Sequence, residues 1–281
     1  MTNVVLMAGK GKRFSDAGYT ISKSLLPVSG KPMIVRAVEC MPPADKWVFV
    51  VREDHLKEQD IIEALKSVAK DVIVLVDPNP IGQLNSCLVA KEYYDNGEPV
   101  FIGACDFGMR YDLRAYEKLL DSKNPERPDV IAWSFTEGQN LARNPEMFGW
   151  LEQDADGWVR GVSVKVPVSA DPFHDFAVTG SFTFASGKAF LKIAEELMRR
   201  GIKVKNEFYI DSMLGLAAEM GYRVKSFPVA YASWGTPVDY EEYLWWEKAI
   251  SDPLRYPDAV AKEEYPFWKT YFKKGNEARI R

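Results

Sequence analysis

Short apolar runs alternate with amphipathic segments through the first 107 residues of the chain. A strand that is buried on both faces has a continuous apolar run, whereas a helix on the sheet has apolar residues at helical spacing. The alternation therefore predicts repeated βαβ units. The predicted strands are 4–8, 46–52, 72–77 and 99–106, and the predicted helices are 32–41, 60–70 and 83–95. We expect an α/β fold with a doubly wound, mostly parallel sheet.

The pattern becomes less regular after residue 107. The segment 149–165 alternates apolar and polar residues around Asp154-Ala155-Asp156-Gly157, which predicts a hairpin. The other predicted elements are strands at 130–136, 177–187 and 224–233, and helices at 188–200, 208–220 and from 238 onward. We expect one compact α/β unit with antiparallel additions and a helical C-terminal tail.

The first predicted strand runs directly into the basic, glycine-rich segment Gly9-Lys10-Gly11-Lys12-Arg13. Ligands of parallel α/β sheets lie beyond the carboxyl ends of the strands. Glycine lets backbone amides approach anionic oxygens, and several cations on one turn suit a polyphosphate. The segment therefore predicts a triphosphate site, although a strand-to-helix turn with solvated lysines would have the same composition. Phe14 excludes the pattern G-x-G-x-x-G, and Pro32 after Gly30-Lys31 excludes a Walker motif there.

Three spaced segments, 6–14, 23–28 and 30–34, together resemble the opening of the sugar-1-phosphate nucleotidyltransferases, the NDP-sugar pyrophosphorylases. Ser22 departs from that family, which usually has proline before the lysine. Later segments that resemble the family are 82–83, 101–106, 164–167, 178–182, 206–211 and 234–237. The resemblance implies a Rossmann-like nucleotidyltransferase domain at 1–245. Its nucleotide-binding part would be about 1–107 and its acceptor-binding part about 108–245, with a helical extension at 246–281 packed on it.

The reaction implied by the resemblance is transfer of a nucleoside monophosphate from an NTP to a phosphate-bearing acceptor. Pyrophosphate leaves, and an NDP-sugar or a similar activated compound forms. A phosphate monoester has a second pKa of about 6, so it is largely a dianion at neutral pH. Because the acceptor is already a nucleophile, the reaction needs positioning and charge neutralisation more than a general base. The resemblance implies nucleotide-sugar biosynthesis, which supplies cell-surface polysaccharide.

The resemblance also implies roles for particular residues. Arg13 would contact the β- and γ-phosphates, Lys23 the α-phosphate, and Lys165 the phosphate of the acceptor. These three are the expected catalytic residues. The expected nucleotide-binding residues are Met7, Ala8, Gly9, Gly11, Lys12, Arg13, Gln83 and Asp106. Solvation remains an alternative for Lys12, and a helix N-terminal position without a ligand remains one for Gln83.

Acceptor and metal residues are also implied by the resemblance. The expected acceptor-binding residues are Lys165, Gly180, Asn206 and Glu207. Gly180 could equally be a simple strand bulge. Asp106, at the end of a predicted strand, is the expected Mg²⁺ ligand, because Mg²⁺ prefers oxygen donors. The late aspartate of the family is missing before Gly235, which leaves Asp211 as the second expected metal ligand and Glu207 as an alternative.

The sequence does not fix the identity of the acceptor or of the nucleotide base. Val164 replaces a glutamate that contacts sugar hydroxyls in the family, which weakens the case for a hexose. Related branches of the family are cytidylyltransferases that act on phosphocholine, aminoethylphosphonate or other non-sugar phosphates. CTP is therefore slightly favoured, with Gln83 at the pyrimidine edge. A glycosyltransferase and a non-catalytic nucleotide-sensing module are the competing hypotheses; the first usually carries a D-x-D motif, which Asp106-Phe107-Gly108 lacks.

Composition and charge narrow the classes of protein and of binding site that remain possible. The net charge of −4 argues against a nucleic-acid partner, and no apolar stretch reaches the length of a membrane span. Two histidines, His55 and His174, are too few for a histidine-rich metal site. The three cysteines form no C-x-x-C motif, which fits a reducing cytoplasm. A homo-oligomer is compatible with the sequence.

Overall fold

The protein is described here by a computed structural model that covers residues 1–69, 71–138, 140–273 and 279–280. The strands are β1 (Thr2–Leu6), β2 (Pro27–Val28), β3 (Lys31–Pro32), β4 (Lys46–Val51), β5 (Val72–Val76), β6 (Val100–Ala104), β7 (Phe107–Asp112), β8 (Val130–Phe135), β9 (Gly149–Gln153), β10 (Val159–Val164), β11 (Phe176–Phe184), β12 (Val224–Pro228), β13 (Ala230–Ser233) and β14 (Arg279–Ile280). The helices are α1 (Lys12–Asp16), α2 (Met33–Cys40), α3 (Gln59–Val68), α4 (Gln83–Val89), α5 (Leu113–Leu120), α6 (Asn140–Arg143), α7 (Gly187–Arg200), α8 (Asp211–Glu219), α9 (Pro237–Ser251) and α10 (Tyr265–Tyr271).

Four parallel strands form one half of the central sheet, in the order β6-β1-β4-β5. Val4 lies opposite Val48 and Ile102, and all three side chains are fully buried in one apolar core. The next residues of β1 and β4, Val5 and Phe49, face a second core on the other side of the sheet. Burial on both faces explains the continuous apolar runs, and the predicted doubly wound, mostly parallel sheet is confirmed.

Antiparallel strands extend the sheet beyond β6. The long strand β11 pairs antiparallel with β6, β8 and β9, and β12 joins β8 in parallel. β9 and β10 form the predicted hairpin, in which Asp154 Oδ1 accepts the amide protons of Asp156 (3.1 Å) and Trp158 (2.9 Å). The predicted antiparallel additions are therefore present.

Two features differ from the sequence-based expectation. The predicted strand 224–233 is two strands, because β12 pairs with β8 whereas β13 crosses to β7 in a separate small sheet. The irregular stretch after residue 107 contains β7 and α5, which the sequence pattern did not predict. Asp112 caps α5 by accepting from the amides of Arg114 (2.9 Å) and Ala115 (3.1 Å). Boundaries elsewhere shift by a few residues; β1, for example, ends at Leu6.

The C-terminal helices complete the fold, as expected for the helical tail. The side chains of Trp246 on α9 and Trp268 on α10 are buried in the same core as Phe14 and Trp234. The expected boundary at 245/246 falls inside α9. Among the described residues, we find no helix with both the length and the apolar character needed to span a membrane.

Candidate functional site

Two adjoining cavities open at the carboxyl ends of β1 and β6. The large cleft has a volume of about 600 Å³ and is lined in part by residues 6–11 and 19–24. The small pocket has a volume of about 180 Å³ and is lined in part by residues 147–149 and 178–180. Four residues line both cavities, which makes them the junction of the site: Gln83, Ala104, Asp106 and Tyr209.

The first loop forms one wall of the large cleft, where Met7, Ala8, Gly9 and Gly11 all line it. Gly11 has a φ of 62°, a left-handed conformation that glycine adopts without strain, and α1 begins immediately after it. Arg52, the residue after β4, lines the same cleft and donates a hydrogen bond from its guanidinium to the Gly9 carbonyl. Arg52 was not among the residues expected from the sequence, although a cation directly after a buried parallel strand was the available signal.

Lys12 and Arg13, the last two cations of the first loop, lie in different surroundings. Lys12 lines neither cavity, and its ammonium pairs with Asp16 at 2.7 Å on an exposed face of α1. Arg13 lines the small pocket. Within the residues that the structure describes, the Arg13 guanidinium has no ion pair or hydrogen bond. It is therefore available to an anionic ligand.

Lys23 and Asp106 form an ion pair at the junction. Lys23 Nζ lies 2.5 Å from Asp106 Oδ2 and donates to the Gly235 carbonyl at 3.2 Å. Both side chains are partly exposed, Lys23 at 18% and Asp106 at 27%, so both are accessible to a ligand. A Cβ on Gly235 would lie 3.4 Å from Asp106 Oδ2, so a larger side chain at residue 235 would crowd this carboxylate. Three segments distant in sequence thus meet at one charged pair.

Gln83 and Glu207 both line the large cleft. Gln83 begins α4, and Gly82 before it has a φ of 100°. A Cβ on Gly82 would lie 3.4 Å from both Glu207 Cβ and the Phe208 carbonyl, so glycine permits this close approach. Glu207, an expected acceptor-binding residue, thus lines the large cleft and not the small pocket. Burial and a hydrogen bond to Glu207 raise the pKa of Tyr209 to about 12.

The small pocket brings Gly180 and Asp211 together. Gly180 has a φ of 82° at a bulge of β11, and its pocket side is open space. Asp211 is the first residue of α8. A Cβ on Gly149 would lie 3.0 Å from Asp211 Cγ, so glycine makes room for the carboxylate. Burial raises the pKa of Asp211 to about 6, although the charge of Lys165 acts in the opposite direction.

Lys165 and Asn206, two further expected site residues, line neither cavity. Lys165 Nζ lies 4.9 Å from the centre of the Tyr209 ring and donates to the Glu146 carbonyl at 3.3 Å. It is therefore adjacent to the junction through Tyr209. Asn206 is exposed in a tight turn, with a φ of 65°.

Few side chains are placed to bind a metal ion at the expected metal site. In the ranges that the structure describes, no three His, Cys, Asp or Glu side chains cluster as a metal site. Asp106 and Asp211 both line the small pocket, and Asp106 also reaches the large cleft. Mg²⁺ is commonly held by one or two carboxylates plus phosphate oxygens and water, so Asp106 fits such an ion.

Comparison with known proteins shows which proteins this chain is similar to. The pattern of the MobA-like NTP transferase domain matches residues 3–203. A glucose-1-phosphate thymidylyltransferase of Neisseria meningitidis is 23% identical over 194 residues, which are 66% of this chain and 61% of that protein. The low-salt glycan biosynthesis nucleotidyltransferase Agl11 of Haloferax volcanii is 25% identical over 254 residues, 86% of this chain and 64% of that protein. The chain thus spans less than two thirds of the length of these curated relatives.

Solved structures show the same fold. A nucleoside-diphosphate-sugar pyrophosphorylase from Vibrio cholerae RC9 superposes with a TM-score of 0.67 at 18% identity, covering 86% of this chain and 99% of that one. The inositol-1-phosphate CTP transferase from T. maritima gives a TM-score of 0.65 at 15% identity, covering 86% and 93%. The expected resemblance to sugar-phosphate nucleotidyltransferases is confirmed by these findings together.

Proposed function

Because the chain belongs to the MobA-like NTP transferase domain family, we propose that it transfers a nucleoside monophosphate from an NTP to a phosphate-bearing acceptor and releases pyrophosphate. The observation that carries this proposal is the Lys23–Asp106 pair at the junction of the two cavities. One cavity would hold the nucleotide and the other the acceptor, so that the reacting phosphates meet at the pair.

The proposed chemistry is attack by an acceptor phosphate oxygen on the α-phosphorus, with cleavage of the bond to the oxygen that leaves with pyrophosphate. The acceptor dianion needs no general base. Lys23 would neutralise charge that grows at the α-phosphate. Arg13 lines the small pocket and not the large cleft, so it would fork across phosphate oxygens where the two cavities meet. Lys165 would approach the acceptor phosphate from beside Tyr209. The backbone of the first loop would contact the nucleotide.

We propose that the reaction depends on Mg²⁺ held by Asp106, with phosphate oxygens and water completing its coordination. When bound, the ion would neutralise part of the triphosphate charge. Lys23, the present partner of Asp106, would then be available to the α-phosphate. Removing Mg²⁺ with a chelator should abolish pyrophosphate release, and restoring it should recover the rate.

The linings and volumes of the two cavities support the proposed nucleotide base and acceptor. Gln83 lines the large cleft and could both donate to and accept from a pyrimidine edge, which slightly favours CTP. The product would be an NDP-sugar or a similar activated compound. The alternative, a cytidylyltransferase for a non-sugar phosphate or phosphonate, is favoured by the small pocket, because about 180 Å³ is below the usual range of ligand cavities.

We place this activity in the cytoplasm, in nucleotide-sugar biosynthesis that supplies cell-surface polysaccharide. Supporting the location, no disulfide forms in the part of the chain that the structure describes. The proposed partners are an NTP and a small phosphorylated acceptor, without nucleic acid or membrane. The proposed activity is compatible with a homo-oligomer.

The test is pyrophosphate release in the presence of Mg²⁺, each common nucleoside triphosphate, and a panel of hexose-1-phosphates, other phosphate monoesters and phosphonates. We expect release with one base and one acceptor class. Release should fall by orders of magnitude in Arg13→Ala and Lys23→Ala. Nucleotide binding without release across the whole panel would instead support the sensing module.

A further inference from the structure

The segment 233–236, which connects β13 to α9, contacts both members of the charged pair at the junction. The Gly235 carbonyl accepts a hydrogen bond from Lys23 Nζ at 3.2 Å. The amide of the preceding residue, Trp234, donates to the backbone carbonyl of Asp106 at 2.8 Å. The geometry of the pair therefore depends on what holds this short segment in place.

Asp239, in the first turn of α9, holds the segment through hydrogen bonds. Its Oδ2 accepts from the Ser233 hydroxyl at 3.2 Å, and the Ser233 oxygen in turn accepts from the Gly235 amide at 3.2 Å. The Asp239 amide also donates to the hydroxyl of Thr236, the residue that caps α9, at 3.2 Å. Hydrogen bonds to a carboxylate are stronger than those between neutral groups. One carboxylate thus connects, through a single hydroxyl, to the residue whose carbonyl accepts from Lys23.

The Asp239 side chain is only 5% exposed, and its charge is balanced by Arg143 at 3.1 Å. An acidic residue in the first turn of a helix already interacts well with the helix dipole when it is exposed. Burial adds a desolvation cost that only a well-paired carboxylate can offset. Arg143 also pairs with Glu242 on α9 at 2.7 Å, and the chain after Arg143 leads to Met147 and Phe148 in the lining of the small pocket. The buried ion pair therefore joins this wall of the pocket to α9.

We propose that Asp239 is a positioning residue for nucleotidyl transfer, which acts through Ser233 and Gly235 to direct the Lys23 ammonium toward the α-phosphate. The Gly235 carbonyl is neutral, so it can orient the ammonium while the positive charge stays available to the phosphate. Arg143 supports this arrangement by balancing the buried charge of Asp239. The proposal rests on the proposed function, because that function gives Lys23 its role at the α-phosphate.

The first test measures two variants that break the connection at different points. Asp239→Asn keeps the shape of the side chain but removes its charge, and Ser233→Ala removes the connecting hydroxyl while the Arg143–Asp239 pair stays intact. Rates are measured as pyrophosphate release with Mg²⁺ and the triphosphate and acceptor of the panel that give the highest wild-type rate. We expect each variant to lower kcat by about 10–100-fold, with a smaller change in KM for the triphosphate, because a misdirected ammonium is lost mainly in the transition state. Ser233→Ala keeps the test valid if Asp239→Asn folds poorly.

A double-mutant cycle with Lys23→Met separates positioning from a general structural role. If Asp239 acts through Lys23, adding Asp239→Asn to Lys23→Met should change kcat by no more than about twofold. The matched control is Glu242→Gln, which removes the other carboxylate that pairs with Arg143 and should keep the wild-type kcat. A wild-type kcat in both Asp239→Asn and Ser233→Ala overturns the proposal. So does an equal loss from Asp239→Asn with and without Lys23, because that loss does not pass through Lys23.

A second measurement needs no substrate and separates this proposal from the proposed function. Amide hydrogen exchange of Trp234 and Gly235, followed by NMR, reports directly on how firmly the segment 233–236 is held. We expect exchange of both amides to be about tenfold faster in Asp239→Asn and Ser233→Ala, with the amides of β1 unchanged and Glu242→Gln like wild type. This result supports the positioning network even if no triphosphate and acceptor give pyrophosphate, an outcome that counts against the proposed function alone. Unchanged exchange of both amides overturns the network.

Discussion

At the scale of single residues, Lys23 is the side chain on which the proposed chemistry depends most directly. Its ammonium holds Asp106 at 2.5 Å and would stabilise charge at the α-phosphate. We expect Lys23→Met to lower kcat by about 10²–10³-fold, the usual cost of removing one preorganised charge-stabilising donor. The thermal midpoint should change little, because Asp106 remains partly solvated. Lys66→Met, which removes an exposed cation from α3, is the matched control. A kcat within twofold of wild type for Lys23→Met would remove Lys23 from the mechanism.

His55 offers a residue-scale prediction about stability and pH. Burial, helped by the charge of Arg52, lowers the pKa of His55 below its usual value. The unfolded chain therefore binds a proton at a higher pH than the folded chain does. The resulting stability is fully present above the unfolded pKa of about 6.5 and is lost as the pH falls below it. Urea unfolding at pH 7, 6 and 5 should show a steeper loss in wild type than in His55→Asn. The exposed His174→Asn serves as control, and parallel curves for wild type and His55→Asn would contradict the argument.

At the scale of elements, the start of α7 tests how closely the helices pack on the sheet. Gly187 lies against the backbone of Tyr94, and a Cβ there would overlap the Tyr94 carbonyl oxygen. The Gly187 amide also donates to the Glu98 carbonyl at 3.0 Å, which fixes the helix in this position. Because backbone cannot move aside cheaply, Gly187→Ala should lower the free energy of unfolding by about 1–3 kcal/mol or more. Gly97→Ala, with nothing near its Cβ, should be close to neutral in the same urea titration.

The elements also show how far the sequence determines the fold and the site. The parallel strands were predictable because burial on both faces makes each of them a continuous apolar run. β7 was missed because Gly108 and Arg110 interrupt its apolar residues and it pairs in a small separate sheet. The approach of Gly82 to Glu207 brings together residues distant in sequence, and no local pattern signals it. The resemblance predicts Glu207 at the acceptor; the structure shows that it lines the large cleft, and its role stays a prediction.

At the scale of the whole molecule, α9 joins the C-terminal part to the first loop region. The Tyr240 hydroxyl donates to the Pro27 carbonyl at 2.7 Å, and the Tyr243 hydroxyl hydrogen-bonds Ser29 at 2.9 Å. The Tyr240 ring contacts Phe14 edge to face, with centroids 6.0 Å apart. α9 and α10 lie beyond residue 203, where the family match ends, yet they share a core with the residues that follow the first loop.

This shared core predicts that the C-terminal helices unfold together with the parallel sheet. Trp246 is buried and stacks on Trp268, with ring centroids 6.0 Å apart. Trp246→Ala should lower the free energy of unfolding by about 3–5 kcal/mol. The loss should appear in the urea midpoint and equally in the amide hydrogen-exchange protection of β1, because one cooperative core would open. Trp245→Ala, at a partly exposed neighbouring position, should cost less. If β1 keeps its protection while only α9 and α10 exchange faster, the tail is a separate folding unit, and the position of the first loop does not depend on it.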